Sequence, residues 1–321
     1  MLWQSLRPTS VDEILEGLEL GRISSADAFA LLQQTSETAA AVRGAITDEK
    51  EKLKDVLHEL DQLIGLAEVK QLVREIQAFV QIQRRREAEQ LATEPLVLHT
   101  IFRGNPGTGK TTVARVLGRM YRHMDVLPKG HLVEVERADL VGEYIGHTAQ
   151  KTREQIKKAM GGILFIDEAY SLARGGEKDF GKEAIDALVK AMEDHKQDFV
   201  LILAGYTKEM EFFLQSNPGL RSRFPLHIDF PDYNADELLA IAESMLKQRQ
   251  YELTRRARHR LLLLIQKGLR DDVYSFGNAR TVRNWIELAI RGQAVRLVQK
   301  SEEMTRTDLL HIEAEDFGEG C

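Results

Sequence analysis

The sequence predicts an α/β protein, with a parallel sheet that carries helices on both faces and a small all-helical domain after it. Five short apolar runs predict the strands: His99–Arg103, Leu132–Val135, Ile163–Ile166, Val200–Ala204 and Leu226–Phe230. Stretches with helical spacing, such as Thr111–His123 and Glu183–Asp194, lie between these runs. Strands that alternate with helices are typical of a parallel sheet. From Asn234 onward the strong strand signals end and helical patterns follow.

The composition is that of a globular protein with an acidic balance. Hydrophobic residues make up 43% of the 321 residues and charged residues 29%, at a net charge of −6. This balance argues against a nucleic-acid partner, which usually leaves a basic footprint. The single cysteine, Cys321, excludes a disulfide within the chain and favours a cytoplasmic location. The longest apolar run, Leu261–Ile265, is far below the roughly 20 residues of a membrane helix, so we expect no membrane insertion.

Three regions of the chain differ in their patterns. Residues 1–60 are charged and helical in spacing, and they predict an N-terminal helical segment with a linker. Residues 61–233 hold the alternating strands and helices, and residues 234–321 hold the helical patterns. We therefore expect a helical segment, an α/β domain and a small helical domain with these bounds.

The clearest motif is the phosphate loop, Gly104–Thr111, which fits the pattern G-x-x-x-x-G-K-[ST]. Its glycines let backbone N–H groups point at phosphate oxygens, and the helix that starts after Gly109 adds partial positive charge there. We expect Lys110 to reach the outer phosphates and the Thr111 hydroxyl to hold Mg²⁺. A glycine-rich turn without a ligand is the alternative, and the strand before the loop and the helix after it disfavour that reading.

Two carboxylates follow the apolar run Ile163–Ile166. The carboxyl ends of parallel strands face the crevice where such sheets bind ligands. We therefore expect Asp167 to hold Mg²⁺ and Glu168 to polarise the attacking water. A solvated strand end is the alternative, which the phosphate loop in the same sheet disfavours. Together the two motifs predict a nucleoside triphosphatase.

Further runs carry a resemblance to the CbxX/CfqX family of AAA+ ATPases. These runs are Arg137–Thr148, Gly161–Tyr170 and Asn217–Phe224, within a resemblance that spans Leu63–Val298. The resemblance implies a AAA+ fold with an all-helical lid domain (residues 234–321), ATP and Mg²⁺ as cofactors, and assembly into a ring, expected to be hexameric. The run Ser171–Glu183 is most similar to a sporulation member of the family, which implies a role in sporulation.

The resemblance also assigns contacts to adenine and from the lid domain. Ile64 and Gly65 match the segment that packs against adenine, although Ile64 by itself predicts only a core residue. Arg280 matches the sensor-2 arginine, which touches the nucleotide from the lid domain, and Arg283 is the alternative. The predicted nucleotide-binding set is Ile64, Gly65, Asn105, Pro106, Gly107, Thr108, Gly109, Lys110, Thr111, Thr112 and Arg280.

An arginine finger is another implication of the resemblance. It assigns to Arg223 a contact with the γ-phosphate bound by the neighbouring subunit, with Arg221 as the alternative. Glu168, Arg223 and Lys110 thus form the predicted catalytic set. The fourth strand of the wider family usually ends near a polar sensor-1 residue. In this chain Tyr206 or Thr207 takes that place, and both stay open.

The resemblance further implies a pore loop of Tyr144, Ile145 and Gly146, which grips a polypeptide in the centre of the ring. The alternative is a Tyr144 side chain buried under a helix. The expected function is ATP hydrolysis coupled to remodelling of a protein partner. A red-type rubisco activase and a nucleotide-dependent scaffold with little hydrolysis are the alternatives. A DNA-acting clamp loader is disfavoured by the acidic balance.

Overall fold

The computed structural model describes residues 51–93, 96–144, 146–174, 179–271, 276–299 and 304–318. The chain divides after Asp55 into two units, and the elements below belong to the second, Val56–Cys321. Most of the predicted N-terminal segment lies outside the described residues, and so do Ile145 and Cys321. The bounds of the three predicted regions therefore stay a prediction.

Five parallel strands form the central sheet. They are β1 (Thr100–Gly104), β2 (Leu132–Val135), β3 (Ile163–Ile166), β4 (Val200–Gly205) and β5 (Leu226–Phe230). Their order is β2-β3-β4-β1-β5, which confirms the predicted parallel sheet. Every residue of β3 and β4 is buried, which explains apolar runs without alternation. Because β1 lies between β4 and β5, the loop after it emerges in the interior of the sheet's carboxyl edge.

Seven α-helices that both begin and end among the described residues accompany the sheet, together with a 3₁₀ helix at Ala169–Ala173. Residues 51–62 are helical as well. The seven α-helices are α1 (Ala67–Ala88), α2 (Lys110–His123), α3 (Arg137–Leu140), α4 (His147–Ala159), α5 (Gly181–Asp194), α6 (Thr207–Ser216) and α7 (Pro218–Arg221). Helix α2 buries Val113, Leu117 and Tyr121, whose spacing of four residues places them on one face. This burial fixes the helix that starts at Lys110, and with it the end of the phosphate loop. Within the described parts of the chain, no helix is both long and apolar enough to cross a membrane.

The C-terminal domain is built around three long helices. These are α8 (Ala235–Gln248), α9 (Arg255–Asp271) and α10 (Ala279–Gln299), followed by the short α11 (Arg306–Leu310). Helix α8 begins with a capping box, in which Asn234 and Glu237 each accept a backbone N–H of the other at 2.9 Å. The short strands β6 (Glu252–Leu253) and β7 (His311–Ile312) pair in parallel. The sequence prediction lacks this pair, since two residues are too few to show strand alternation.

Candidate functional site

A cavity of about 550 Å³ lies where the carboxyl edge of the sheet meets the C-terminal domain. This volume is in the usual range for a small-molecule site. The cavity brings together most of the predicted nucleotide-binding residues and the two carboxylates that follow β3. Those that line it are Ile64, Pro106, Gly107, Gly109, Lys110, Thr111, Thr112, Asp167, Glu168 and Arg280.

The phosphate loop joins the end of β1 to the start of α2. Gly107 and Gly109 have φ angles of 72° and 96°, a region that glycine enters without steric cost. The first N–H groups of α2 have no partner within the helix, and they carry the positive end of its dipole. The loop therefore offers a ready site for an anion.

Lys110 is held on the phosphate loop itself. Its Nζ donates hydrogen bonds to the carbonyl oxygens of Gly104, at 2.8 Å, and Asn105, at 2.7 Å. Burial lowers the pKa of the Lys110 ammonium, and the negative charge of Asp167 partly opposes this effect. A phosphate group in the cavity would give this partly dehydrated cation a stronger partner than the two carbonyls.

The carboxylates Asp167 and Glu168 line the same cavity just beyond β3. The Asp167 carboxylate accepts the Glu168 N–H at 3.0 Å. Glu168 has a φ of 46°, a left-handed conformation that costs a residue with a side chain about 1–3 kcal/mol. Such strain is concentrated at active sites, because the surrounding structure fixes a residue for a task.

The Tyr170 hydroxyl lies near enough to Glu168 to feel its negative charge, and the sequence analysis did not find this proximity. Burial raises the pKa of Tyr170, and the charge of Glu168 raises it further, so the hydroxyl stays protonated. A protonated tyrosine can therefore donate to the carboxylate. The tyrosine was visible in the run Gly161–Tyr170, but no sequence signal joined it to the carboxylate two positions earlier.

Apolar side chains supply a surface that suits a flat purine ring. Besides Ile64 these are Leu63, Leu66, Ile241 and Met245. Gly65 does not line the cavity, and it packs instead against the start of the C-terminal domain. A Cβ at this position would lie 2.6 Å from a Glu237 carboxylate oxygen. Gly65 thus permits close approach of α8, and a direct contact with adenine stays a prediction.

Two predicted nucleotide-binding residues of the phosphate loop have side chains that form hydrogen bonds with other groups of the protein. The Asn105 side-chain amide donates to both carboxylate oxygens of Asp232, at 3.0 and 2.9 Å. The Thr108 residue is fully buried, and its hydroxyl donates to the Asn105 carbonyl at 2.8 Å. In this structure both side chains hold the loop in shape and do not line the cavity.

The structure bears on two choices that the sequence left open. Tyr206 lines the same cavity as Glu168, whereas Thr207 is exposed at the start of α6 and does not line it. Tyr206 is therefore the better candidate for sensor 1. Both Arg280 and Arg283 line the cavity, so the geometry leaves both as contacts from the lid domain.

Arg223 and Arg221 do not line the cavity of their own chain. Arg223 donates hydrogen bonds to the Gly219 carbonyl and to the Glu193 carboxylate. This hydrogen bond and the charge of Arg223 lower the pKa of Glu193. Arg221 is exposed. Either arginine can therefore act on a nucleotide only from a second chain, or after a large rearrangement of its own.

Tyr144 is 66% exposed, so the alternative that buries it under a helix is wrong. Its ring makes an edge contact with His147 at 5.5 Å between centroids. Gly146 is the N-cap residue of α4, with a φ of 83°, and has no atom within 4 Å of the position of an added Cβ. The segment is thus an exposed aromatic beside an open glycine.

Replacing Gly107 with Ala should weaken nucleotide binding about tenfold and lower the free energy of unfolding by about 2 kcal/mol. The new Cβ would lie 2.3 Å from the Gly277 carbonyl and 2.8 Å from the Arg280 N–H nitrogen, both backbone atoms. Gly146→Ala is the matched control, since it has a similar φ but open space around it. Titration with a fluorescent ADP and chemical unfolding measure the two effects. Equal losses in both variants would show that the contact with the C-terminal domain is unimportant.

Two protein-family profiles match the chain. The profile described as "ATPase family associated with various cellular activities (AAA)" matches residues 100–232. The profile described as "AAA lid domain" matches residues 234–320. The first range includes the phosphate loop and both carboxylates, and the second includes Arg280 and Arg283.

Individual proteins show the same similarity over most of the chain. Stage V sporulation protein K of Bacillus subtilis (strain 168) is 51% identical over 287 residues, 88% of each chain. The chloroplastic ribulose bisphosphate carboxylase/oxygenase activase of Cyanidioschyzon merolae is 46% identical over 269 residues, 83% of this chain and 91% of that one. Among solved structures, the FIGL-1 AAA domain in complex with ADP aligns with a TM-score of 0.54 at 18% identity, over 80% of each chain. At that identity the structure supports the fold alone.

Proposed function

The chain belongs to the AAA family of ATPases, and from this premise we propose that it hydrolyses Mg-ATP and uses the reaction to remodel a protein partner. The observation that carries the proposal is the cavity that Lys110, Asp167 and Glu168 line together. A phosphate-binding lysine beside two carboxylates is the arrangement that phosphoryl transfer to water requires.

The proposed binding mode uses residues around the whole cavity. The N–H groups of the phosphate loop hold the phosphates, and Lys110 neutralises the outer ones. Thr111 and Asp167 offer oxygen atoms, the ligand type that Mg²⁺ prefers. When bound, Mg²⁺ supplies positive charge that stabilises the transferring phosphoryl group. The apolar side chains around Ile64 cover adenine, and Arg280 or Arg283 reaches the nucleotide from the lid domain.

Glu168 is the proposed group that orients the attacking water and accepts its proton. The left-handed backbone of Glu168 supports this role, because the surrounding structure must hold that residue in place, and the nearby Tyr170 hydroxyl interacts with its charge. Lys110 stabilises the charge that develops on the γ-phosphate. A further cation is usual in this chemistry, and Arg223 of a neighbouring subunit is our candidate. The site is then complete only in an assembly, which we propose to be a hexameric ring.

Turnover per subunit should therefore rise with protein concentration. Dilution separates the subunits, and each cavity then lacks the neighbour's arginine. Mg-ATP hydrolysis measured across a concentration series, alongside the size of the particle, tests this expectation. The Glu168→Gln variant gives the background rate of hydrolysis at each protein concentration. Turnover that stays constant in a range where the protein is monomeric would contradict a site shared between subunits.

The proposed partner is an extended polypeptide segment that the pore loop grips. The exposed ring of Tyr144 supports this, since an aromatic surface binds many sequences through apolar contact. An unfolded polypeptide such as casein should stimulate turnover. Tyr144→Ala should lose this stimulation and keep its basal turnover, while Tyr144→Phe should retain both. Equal stimulation of all three proteins would count against the gripping role.

Two biological settings agree with the relatives. The 51% identity with stage V sporulation protein K favours a sporulation role, which we propose together with a cytoplasmic location. The 46% identity with the chloroplastic activase keeps rubisco activation as the second candidate. Stimulation of turnover by ribulose bisphosphate would favour the second candidate. A chain that binds ATP and assembles without turnover would instead be a nucleotide-dependent scaffold.

A further inference from the structure

The carbonyl groups of the phosphate loop are bonded to the C-terminal half of the chain. The Pro106 carbonyl accepts from the Asn278 side-chain amide at 3.3 Å, and the Gly107 carbonyl accepts from the Ala279 N–H at 3.3 Å. The Thr108 carbonyl accepts from the Tyr233 hydroxyl at 3.1 Å. Successive carbonyls of one loop are thus fixed by residues outside the loop.

Asn278 is at the centre of these contacts. It is 1% exposed, although it carries a polar amide. Its side-chain oxygen accepts the Tyr233 N–H at 3.1 Å, and its nitrogen donates to Asp232 at 2.8 Å as well as to Pro106. Both ends of the buried amide are therefore satisfied, as burial requires. Its φ of 49° is a left-handed conformation that asparagine tolerates better than most residues.

Asp232 connects this amide to the other side of the loop. Its carboxylate accepts from Asn278 and also from Asn105, the second residue of the phosphate loop. Asp232 itself precedes α8 by three positions. The hydrogen bonds that join Asn105, Asp232 and Asn278 therefore link three parts of the protein. These parts are the phosphate loop, the connection between the domains and the start of α10. None of these three side chains lines the cavity.

We propose that Asn278 is a positioning residue, which holds the phosphate loop in its phosphate-binding shape and makes that shape depend on the lid domain. The proposal rests on the proposed function, since it takes the cavity as a nucleotide site. When the lid domain swings away, the bonds to Pro106 and Gly107 break and the loop loses its support. Nucleotide release and lid opening are then coupled through the carbonyl groups of the phosphate loop, independently of Arg280.

Four variants of the 321-residue chain test the role of Asn278. Asn278→Gly keeps the left-handed backbone and deletes the amide. Asn278→Asp keeps the acceptor, deletes both donated bonds and sets a carboxylate beside Asp232. Asp232→Asn keeps an oxygen acceptor for both asparagines. The double variant, Asn278→Asp with Asp232→Asn, again pairs an amide with a carboxylate, with the amide now at position 232 and the carboxylate at position 278.

The affinity for a fluorescent ADP with Mg²⁺ should fall about tenfold in Asn278→Gly, and further in Asn278→Asp. The KM for ATP should rise in parallel, while kcat at saturation changes much less, because bound phosphates restore the loop. Asp232→Asn should show the smallest loss. Adding Asp232→Asn to Asn278→Asp should recover part of the affinity, because it removes the charge repulsion between positions 232 and 278 but does not restore the bond to Pro106. A general loss of folding would not allow this recovery.

Gln293→Ala is the matched control for lid stability. Gln293 is a buried amide on α10, and it donates to the carbonyls of Asp308, Leu309 and His311, away from the cavity. The Gln293→Ala variant should have a lower melting temperature and an unchanged affinity for ADP. Wild-type affinity in Asn278→Gly would overturn the inference, and so would an equal loss in Gln293→Ala. A wild-type chain without ADP binding would overturn the nucleotide site itself, whereas ADP binding without turnover would overturn only the proposed hydrolysis.

Discussion

Glu168→Gln should lower ATP turnover at least about a hundredfold and leave ATP binding nearly intact. The amide keeps the size and hydrogen-bonding reach of the carboxylate, but it cannot accept the proton of the attacking water. Phosphate binding depends on the loop and on Lys110, which this change does not touch. Lys110→Ala should differ from it, because loss of the cation weakens binding itself.

Single-turnover hydrolysis and fluorescent-nucleotide titration on the same preparations separate the two effects. Glu209→Gln is a suitable control, since this exposed glutamate of α6 lies outside the cavity lining. It should behave as the wild-type chain. A Glu168→Gln protein that retains turnover within a factor of about ten would remove Glu168 from the role of general base.

Arg223→Ala should lower turnover about a thousandfold in the assembled protein, the usual size of an arginine-finger effect. In the structure this guanidinium is bonded to Glu193 and lies outside the cavity lining of its own chain. We therefore expect its effect to come from a neighbouring subunit. Arg221→Ala is the matched control, two positions away, and it should cause a much smaller loss.

Mixing provides the test of action between subunits. Arg223→Ala subunits keep Glu168, and Glu168→Gln subunits keep Arg223. A mixed ring therefore contains some sites with both groups, although neither variant has them alone. Turnover should return when the two inactive proteins are mixed. If subunit exchange is verified by fluorescence transfer and turnover stays absent, Arg223 does not act across the interface.

The sequence predicted the parts of the structure that local patterns encode. Apolar runs located the five strands of the sheet, and fixed spacing located the phosphate loop and the carboxylates after β3. The resemblance supplied Arg223 and the arginines of the lid domain. Each of these features depends on residues that are neighbours in the sequence, so a short stretch of sequence is sufficient to recognise it.

The contacts that escaped prediction join residues far apart in the chain. Tyr233 meets Thr108 across 125 positions, and Asn278 meets Pro106 across 172. Polar side chains leave no periodic trace of such partners. The left-handed backbone of Glu168 could not be predicted from the sequence either, because glutamate rarely adopts this conformation. Asn278 offered one clue, since an asparagine after a glycine often tolerates positive φ.

The strand order of the sheet bears on how a subunit with the proposed pulling function would deform under load. β1 is held by hydrogen-bond ladders to β4 on one side and β5 on the other, so the root of the phosphate loop is stiff. β2, which precedes Tyr144, is an edge strand with a single ladder, to β3. If the proposed pore loop grips a polypeptide, we expect a resisting load to deform the β2 side of the sheet first. In that case the phosphate loop, which follows a strand with ladders on both sides, would keep its geometry while the segment that carries Tyr144 moves.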